Sequence, residues 1–359
     1  MDNTDNNKES GVRNSRRKKF YLSEFLAKYI IKSISFISFA VIILIFIFVF
    51  REAIPVFFQQ STTSSSAEFQ QSETYGEGPT ATESTPNLSE QKTENSQSLE
   101  SSGAGGEATL SNLTGDEWQP VSSEPKYGLL PLFIGSFNVT VVSVLIAAPL
   151  AILAAIFSTF FTPRKLKEII KPVIELLAGF PSVVVGFFAL VTIASLCQQL
   201  FGYTYRLNAF IGGAALSLAV IPIIYTVTED ALTAIPKYFT EASYALGATK
   251  WQTAFKVVVP AATPGIFAAL LLGVGRAFGE TMIVLMATGN AAQMTFNLFN
   301  PVRTMSATIG AEMAEVVFGD VHYGVLFLIG ALLFIFTFTL NAIAEFYVRN
   351  KLMKKFGGE

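Results

Sequence analysis

The stretch "GVGRAFGETMIVLMATGN", Gly273 to Asn290, decides how this chain must be read. Its apolar residues suit a membrane-spanning helix, yet Arg276 and Glu280 stand inside it, one helical turn apart. A span from about 264 to 288 would run ~37 Å at ~1.5 Å per residue, with Arg276 near its middle and Glu280 about 6 Å further along. A charge at that depth costs about 2.5–3.5 kcal/mol on insertion scales. Spacing of i,i+4 puts both charges on one helix face, where pairing lowers that cost without abolishing it. Gly275 and Gly279 lie beside them as a G-x-x-x-G pair, the spacing that lets two membrane helices approach closely, and Gly273 extends the strip. The sequence thus predicts a helix packed into a bundle, its charges turned to the protein interior or a wet cavity. A salt bridge that only fixes helix register is one reading. The other is a polar element on the path of a charged solute, since an arginine fork suits tetrahedral oxyanions. Charge alone does not separate phosphate from sulfate or molybdate.

Composition agrees with a membrane setting. Of 359 residues, 51% are hydrophobic and only 14% charged, against about a quarter charged in soluble domains. One cysteine, Cys197, excludes an intrachain disulfide or a cysteine metal site, and the single His322 excludes a histidine cluster. No catalytic constellation, metal site or basic nucleic-acid surface is evident.

Six stretches are long and apolar enough to span about 30 Å of hydrocarbon, at about 30–50, 131–160, 173–197, 207–228, 264–288 and 322–348. The fourth carries Gly212, Gly213 and Pro222, breakers that neighbouring helices can tolerate. Lysine and arginine favour one side: Arg16 to Lys19 in the N-terminal tail, Arg164, Lys165, Lys167 and Lys171, then Lys237, Lys250 and Lys256, and Lys354 and Lys355 near the C-terminus. By the positive-inside rule both termini are cytoplasmic. The first apolar run is too long for a signal peptide, and no small-residue cleavage pattern follows, so it reads as a retained helix. The resulting organisation is a basic tail (1–29), a first helix (30–50), an external Ser/Gln/Glu-rich insert (51–127), a five-helix core (128–350) and a short cytoplasmic tail (351–359). The insert has few large apolar residues to offset its ordering entropy and is expected to be disordered.

Between the fourth and fifth spans, residues 229–260 contain "YFTEASYALGATKWQTAFKVVVP". Tyr238, Ala242 and Ala245 fall at helical spacing, Gly247 suits a helix C-cap, and Thr249 an N-cap for a second helix. Pro260 and Pro264 then punctuate the entry to span five. Glu241-Ala242-Ser243, with Gly247 and Pro260 following, resembles the EAA loop of ABC-importer permeases, despite a serine as third residue and Thr240 in place of arginine. The resemblance implies coupling helices that dock on an ATP-binding subunit, the small residues allowing close approach and Glu241 meeting a basic group. The alternative is a helix pair lying on the bilayer. The chain has no phosphate loop of its own, so ATP and Mg would be bound by a partner subunit.

"GRAFGETM" further resembles the fifth-helix signature of PstC-type permeases of phosphate importers, Met282 standing where the PstA type typically continues with Ala-Pro. "IELLAGFPSVVVGFFAL" (Ile174 to Leu190, with Glu175, Gly179, Pro181, Ser182 and Gly186) and "RTMSATIGAEMAEVVFGDVHYGVLF" (through Arg303, Thr304, Thr308, Glu312 and His322) match the same family, the resemblance covering about 131–350. It implies an all-α polytopic permease of six transmembrane helices in the type I ABC-importer architecture, in a bacterial or archaeal cytoplasmic membrane. It also implies a PstA-type second permease, two ATP-binding subunits and an extracytoplasmic phosphate-binding protein as partners, and a transport role for Arg276 and Glu280. Rival readings are a permease for sulfate or molybdate, and a channel or secondary transporter with no ATPase. Gly179-Phe180-Pro181-Ser182 reads as a packing kink at membrane depth, with a part in the gate or pathway as the alternative. Asn290, Thr304 and Thr308 read as span-end residues that meet water, the alternative being that they line the outer opening. His322 reads as interfacial rather than proton-sensing.

Overall fold

The computed structural model describes residues 22–58 and 110–347. The chain divides into two compact units, Met1–Val49 and Phe50–Glu359. The first unit holds most of α1 (Leu22–Ala53), whose Lys32–Ala53 portion is long and apolar enough to cross a membrane. The second begins with α2 (Pro55–Phe58) and resumes at α3 (Leu110–Leu113). An antiparallel hairpin follows, β1 (Trp118–Gln119) with β2 (Lys126–Tyr127), pairing Trp118 with Tyr127. Residues 110–127 of the insert are therefore folded, contrary to the expectation of disorder. Their few apolar residues are well spent: Leu113, Trp118 and Tyr127 are all buried. Residues 59–109 and both tails lie outside the described residues.

The helical core runs through α4 (Leu130–Phe160), α5 (Arg164–Ala178), α6 (Ser182–Phe188) and α7 (Ala194–Phe201), the last two joined by a π-helical stretch at Ala189–Ile193. It continues through α8 (Ala209–Thr233), α9 (Lys237–Ala245) and α10 (Lys250–Thr253), then a second π stretch, Ala254–Val258. The described residues end with α11 (Val259–Gly279), α12 (Met282–Ala287), α13 (Met305–Glu312) and α14 (Val321–Tyr347). Six stretches among the described residues meet the length and apolarity of a span. Four match the expected positions closely; the third and fifth do not.

The third span is Ser182–Phe201, not 173–197. The run from Val173 to Leu177 belongs to α5, an amphipathic helix with Ile170 and Ile174 against the core and Leu166, Ile169, Val173 and Leu176 exposed. Gly179 and Pro181 are caps separating α5 from α6, so Gly179-Phe180-Pro181-Ser182 marks a boundary between helices rather than a kink inside a span. The fifth span is Lys250–Gly279. Pro260 and Pro264 do not punctuate it, because helix runs through both. A proline lacks the N–H that would bond four residues back, and the π stretch immediately before Pro260 takes up the strain.

α4 and α8 form the heart of the core. Ala147, Ala151 and Ala155, at i,i+4,i+8 on α4, are fully buried. Small residues are what bring membrane helices close, since lipid is as apolar as any side chain. On α8 a Cβ at Gly213 would lie 2.5 Å from Val142 Cβ. The N-terminal end of α8 is fixed by Asn208, whose side chain accepts from Ile211 N at 3.0 Å, a cap worth about 1 kcal/mol.

Candidate translocation site and coupling surface

α8 also calibrates the depth of the charged segment. α11 runs antiparallel to it: a Cβ at Gly265 would meet Ala231 Cβ at 2.3 Å, and one at Gly273 would meet the Ile224 side chain at 2.7 Å and Val220 Cγ1 at 3.3 Å. Gly273 thus faces the middle of α8, and Arg276 stands about 4.5 Å beyond that level at ~1.5 Å per residue. Beside α8 Arg276 therefore stands just past the middle, although it lies near the end of the Lys250–Gly279 span rather than at the middle of a 264–288 one.

The described residues do not form the continuous helix or the ion pair expected from sequence. α11 ends at Gly279, and Glu280 is extended, at φ −70° and ψ 134°. No Arg276–Glu280 salt bridge is present among the described residues. Once the helix stops between them, i,i+4 spacing no longer places two side chains on one face. α13 lies against the break. Ser306 Oγ donates to Glu280 O at 2.6 Å, and a Cβ at Gly310 would lie 2.6 Å from Thr281 Cγ2. α12 then restarts the helix and packs on α6, where a Cβ at Gly186 would be 3.1 Å from Met282 O.

The glycine strip needs a similar correction. Along α11 the close approaches are at Gly265 and Gly273. A Cβ at Gly275 would find only Asn341 Oδ1, at 3.6 Å, and one at Gly279 nothing within 4 Å. Arg276 is exposed and Glu280 half-buried on this open side. The charged face of α11 therefore looks out of the chain rather than into its bundle.

A buried network near the start of α14 was missed in the sequence. The Glu312 carboxylate accepts from Trp118 Nε1 at 3.1 Å, lies 2.9 Å from His322 Nε2, and pairs with Arg303. Arg303 Nε also donates to the Asn290 carbonyl at 3.2 Å and side chain at 3.1 Å. Burial pushes the Glu312 pKa up, but the hydrogen bonds from His322 and Trp118, with the Arg303 charge, outweigh it and hold the carboxyl below its ordinary value. The network ties the folded end of the insert to α13 and to the loop after α12. His322, at the start of the sixth span, is buried in it. Thr304 caps α13 and Thr308 bonds Thr304 O at 2.9 Å, both buried, so neither meets water as expected. Matched individually, Arg303, Glu312 and His322 carried no signal that a tryptophan from the insert would join them.

At the other end of α11 the helix–Gly–helix layout matches the sequence reading. Gly247 has φ +82°, the left-handed conformation that favours glycine, and Thr249 caps α10 through a reciprocal pair with Gln252. Glu241 and Ala242 are exposed, whereas Ser243 is buried, its hydroxyl 2.9 Å from Thr253 Oγ1. Ser243 pins α9 to α10 and offers no docking surface. Pro260 is half-buried at the start of α11. The exposed apolar residues are Leu246 (89%), Tyr238 (63%), Trp251 (60%), Tyr244 and Phe239, a set that a solvated loop does not need.

The match to known proteins covers this whole core. Residues 121–351 match the family described as the binding-protein-dependent transport system inner membrane component, and the chain belongs to that family: it is an ABC importer permease. A probable ABC transporter permease protein, YqgH of Bacillus subtilis, is 41% identical over 65% of this chain and 75% of its own length. The phosphate transport system permease protein PstC of Mesorhizobium japonicum is 35% identical, over 66% and 77%. PstC of Xylella fastidiosa (strain Temecula1) is 32% identical, over 64% and 75%.

Proposed function

We propose that the chain is the permease subunit of an ATP-driven importer of inorganic phosphate, lining half of a path shared with a second, PstA-type permease. The observation that carries this reading is Arg276, exposed on the chain's own surface level with the middle of α8 and with no ion-pair partner among the described residues. A bare guanidinium facing hydrocarbon is strongly disfavoured, so the open face belongs against a partner subunit or a water-filled path. Its planar fork suits a tetrahedral oxyanion, and with the helix ending at Gly279 no ion pair with Glu280 neutralises it among the described residues. The PstC relatives favour phosphate among the oxyanions.

Both termini are cytoplasmic in this reading, which puts α9 and the exposed Tyr238, Tyr244 and Leu246 where two ATP-binding subunits can dock. Closure of the ATPase pair draws the coupling helices together, and the permease halves alternate between inward- and outward-open states. An external phosphate-binding protein delivers the solute and supplies selectivity. Phosphate uptake by vesicles carrying the whole complex tests the reading, with sulfate as competitor. Arg276→Gln and Glu280→Gln are expected to lower uptake about tenfold to a hundredfold, the scale of a lost charge-assisted contact. Uptake at the wild-type rate with both changed, or equal competition by sulfate, refutes it.

A further inference from the structure

The inner ends of α5 and α8 are joined by a clamp that the transport path itself does not require. Glu229 lies one turn before the end of α8, its side chain only 4% exposed, with Lys167 Nζ at 2.6 Å and Lys171 Nζ at 3.3 Å. The lysines are i,i+4 on α5, so one face of that helix grips one carboxylate. Holding a carboxylate this deeply is unfavourable without such partners, and apolar packing would join two helices more simply. The clamp also sits at a junction. From Glu229 the chain reaches Pro236, the N-cap of α9, within two turns. From α5 it passes through Gly179 and Pro181 into α6, whose Gly186 lies against Met282 and Ile283 of α12. α12 begins immediately after the break at Glu280 and Thr281.

We infer that Glu229, held by Lys167 and Lys171, is a positioning residue that makes α5 move with the coupling helix and so carries its displacement through α6 and α12 to the break beside Arg276. α11 alone is a poor carrier of such a displacement. It connects the docking surface to Arg276 directly, but through the π stretch at Ala254–Val258, where the helical ladder is already interrupted. The second route reaches the far side of the break through the close approach of α6 to α12, where a Cβ at Gly186 would meet Met282 O at 3.1 Å and Ile283 Cα at 3.2 Å. Two routes meeting at opposite sides of one break convert a push at the docking surface into a change of angle between α11 and α12.

This inference rests on the proposed importer function, and the experiment separates the two. The complete complex is reconstituted in vesicles, and phosphate uptake and ATP hydrolysis are measured on the same preparation. Glu229→Gln is expected to lower phosphate moved per ATP hydrolysed by about tenfold, within the usual range of coupling energies, while hydrolysis continues. Reversal of all three charges, Glu229→Lys with Lys167→Glu and Lys171→Glu, is expected to recover part of the ratio. An unchanged ratio in Glu229→Gln, or a parallel fall of uptake and hydrolysis, overturns the inference. Wild-type complex that hydrolyses ATP yet moves no phosphate overturns the proposed function instead. A second measurement needs no clamp variant. With Cys197→Ala as background, spin labels at Glu168→Cys and Lys237→Cys report the distance from α5 to α9 with and without ATP. A distance constant to within about 2 Å, the scale of ordinary helix shifts, is expected; a larger change shows that α5 does not travel with the coupling helix.

Discussion

Substituting Gly265 by alanine isolates the contact that sets the depth of the charged face. The new Cβ would lie 2.3 Å from Ala231 Cβ and 3.5 Å from Ala231 Cα. Carbon atoms rest at about 3.5–4.0 Å, so the pair is more than an ångström too close. Alanine has no rotamer with which to escape, and the two helices must part. Overpacking of this kind costs about 1–3 kcal/mol, against a helix-propensity gain of up to about 1 kcal/mol for removing a glycine. The net expectation is a loss of about 1–2 kcal/mol. The assay is thermal unfolding of the purified subunit in detergent, where that loss lowers Tm by about 2–8 °C for a domain of this size. Gly279→Ala is the matched control: its Cβ meets nothing within 4 Å, and stability of the isolated subunit is expected to hold. A Tm unchanged by Gly265→Ala, or lowered more by Gly279→Ala, refutes the packing described for α11.

Three further outcomes follow from the same geometry. Leu246→Asp replaces an exposed side chain and is expected to leave Tm unchanged, since such changes fall within about ±0.5 kcal/mol, while co-purification of the ATP-binding subunit drops. Gly247→Val forces a β-branched residue into φ +82°, at a cost of about 1–2 kcal/mol confined to the loop, read as faster local amide exchange in α9 with little change in Tm. The carboxyl of Glu312 is held below its ordinary value of 4.5, so its network contributes stability that is present above that pH and lost as pH falls through the lowered value. Glu312→Gln is therefore expected to lower Tm at neutral pH, by about 1.5–3 kcal/mol for a charged hydrogen-bonded group, with the gap to wild type closing in acid. A gap constant with pH counts against the ionised network.

Length and apolarity alone made α4, α8 and α14 legible, because each is one uninterrupted apolar helix. The third span was misread because the apolar face of α5 merges, in a one-dimensional count, with the span that follows. The fifth was misread for a subtler reason. "MIVLMA" after the break is as apolar as the helix before it, and hydropathy does not register that Glu280 leaves the helix. The coupling loop was legible in detail, down to Gly247 and Thr249, since its turns are built from local chemistry. Ser243 was not, because its role depends on Thr253, and spacing does not show which way a hydroxyl turns. The Glu229 clamp and the Glu312 network join residues 58 to 62 and up to 194 positions apart, and no window along the chain contains either set.

The π stretch at Ala254–Val258 has a further consequence, for rotation rather than for bending. Each residue of an α-helix turns the chain by about 100°, and a π bulge holds one residue more than the regular spiral would use. Whatever lies beyond it is clocked round the helix axis relative to what lies before. The bearing of Arg276 relative to the docking helix is thus set partly by one extra residue some five turns away. Deleting a residue within 254–258 would relax that stretch to α-helix and leave both ends chemically intact. The guanidinium would then face a different neighbour, and a permease with every named side chain in place would have its path aimed at the wrong wall.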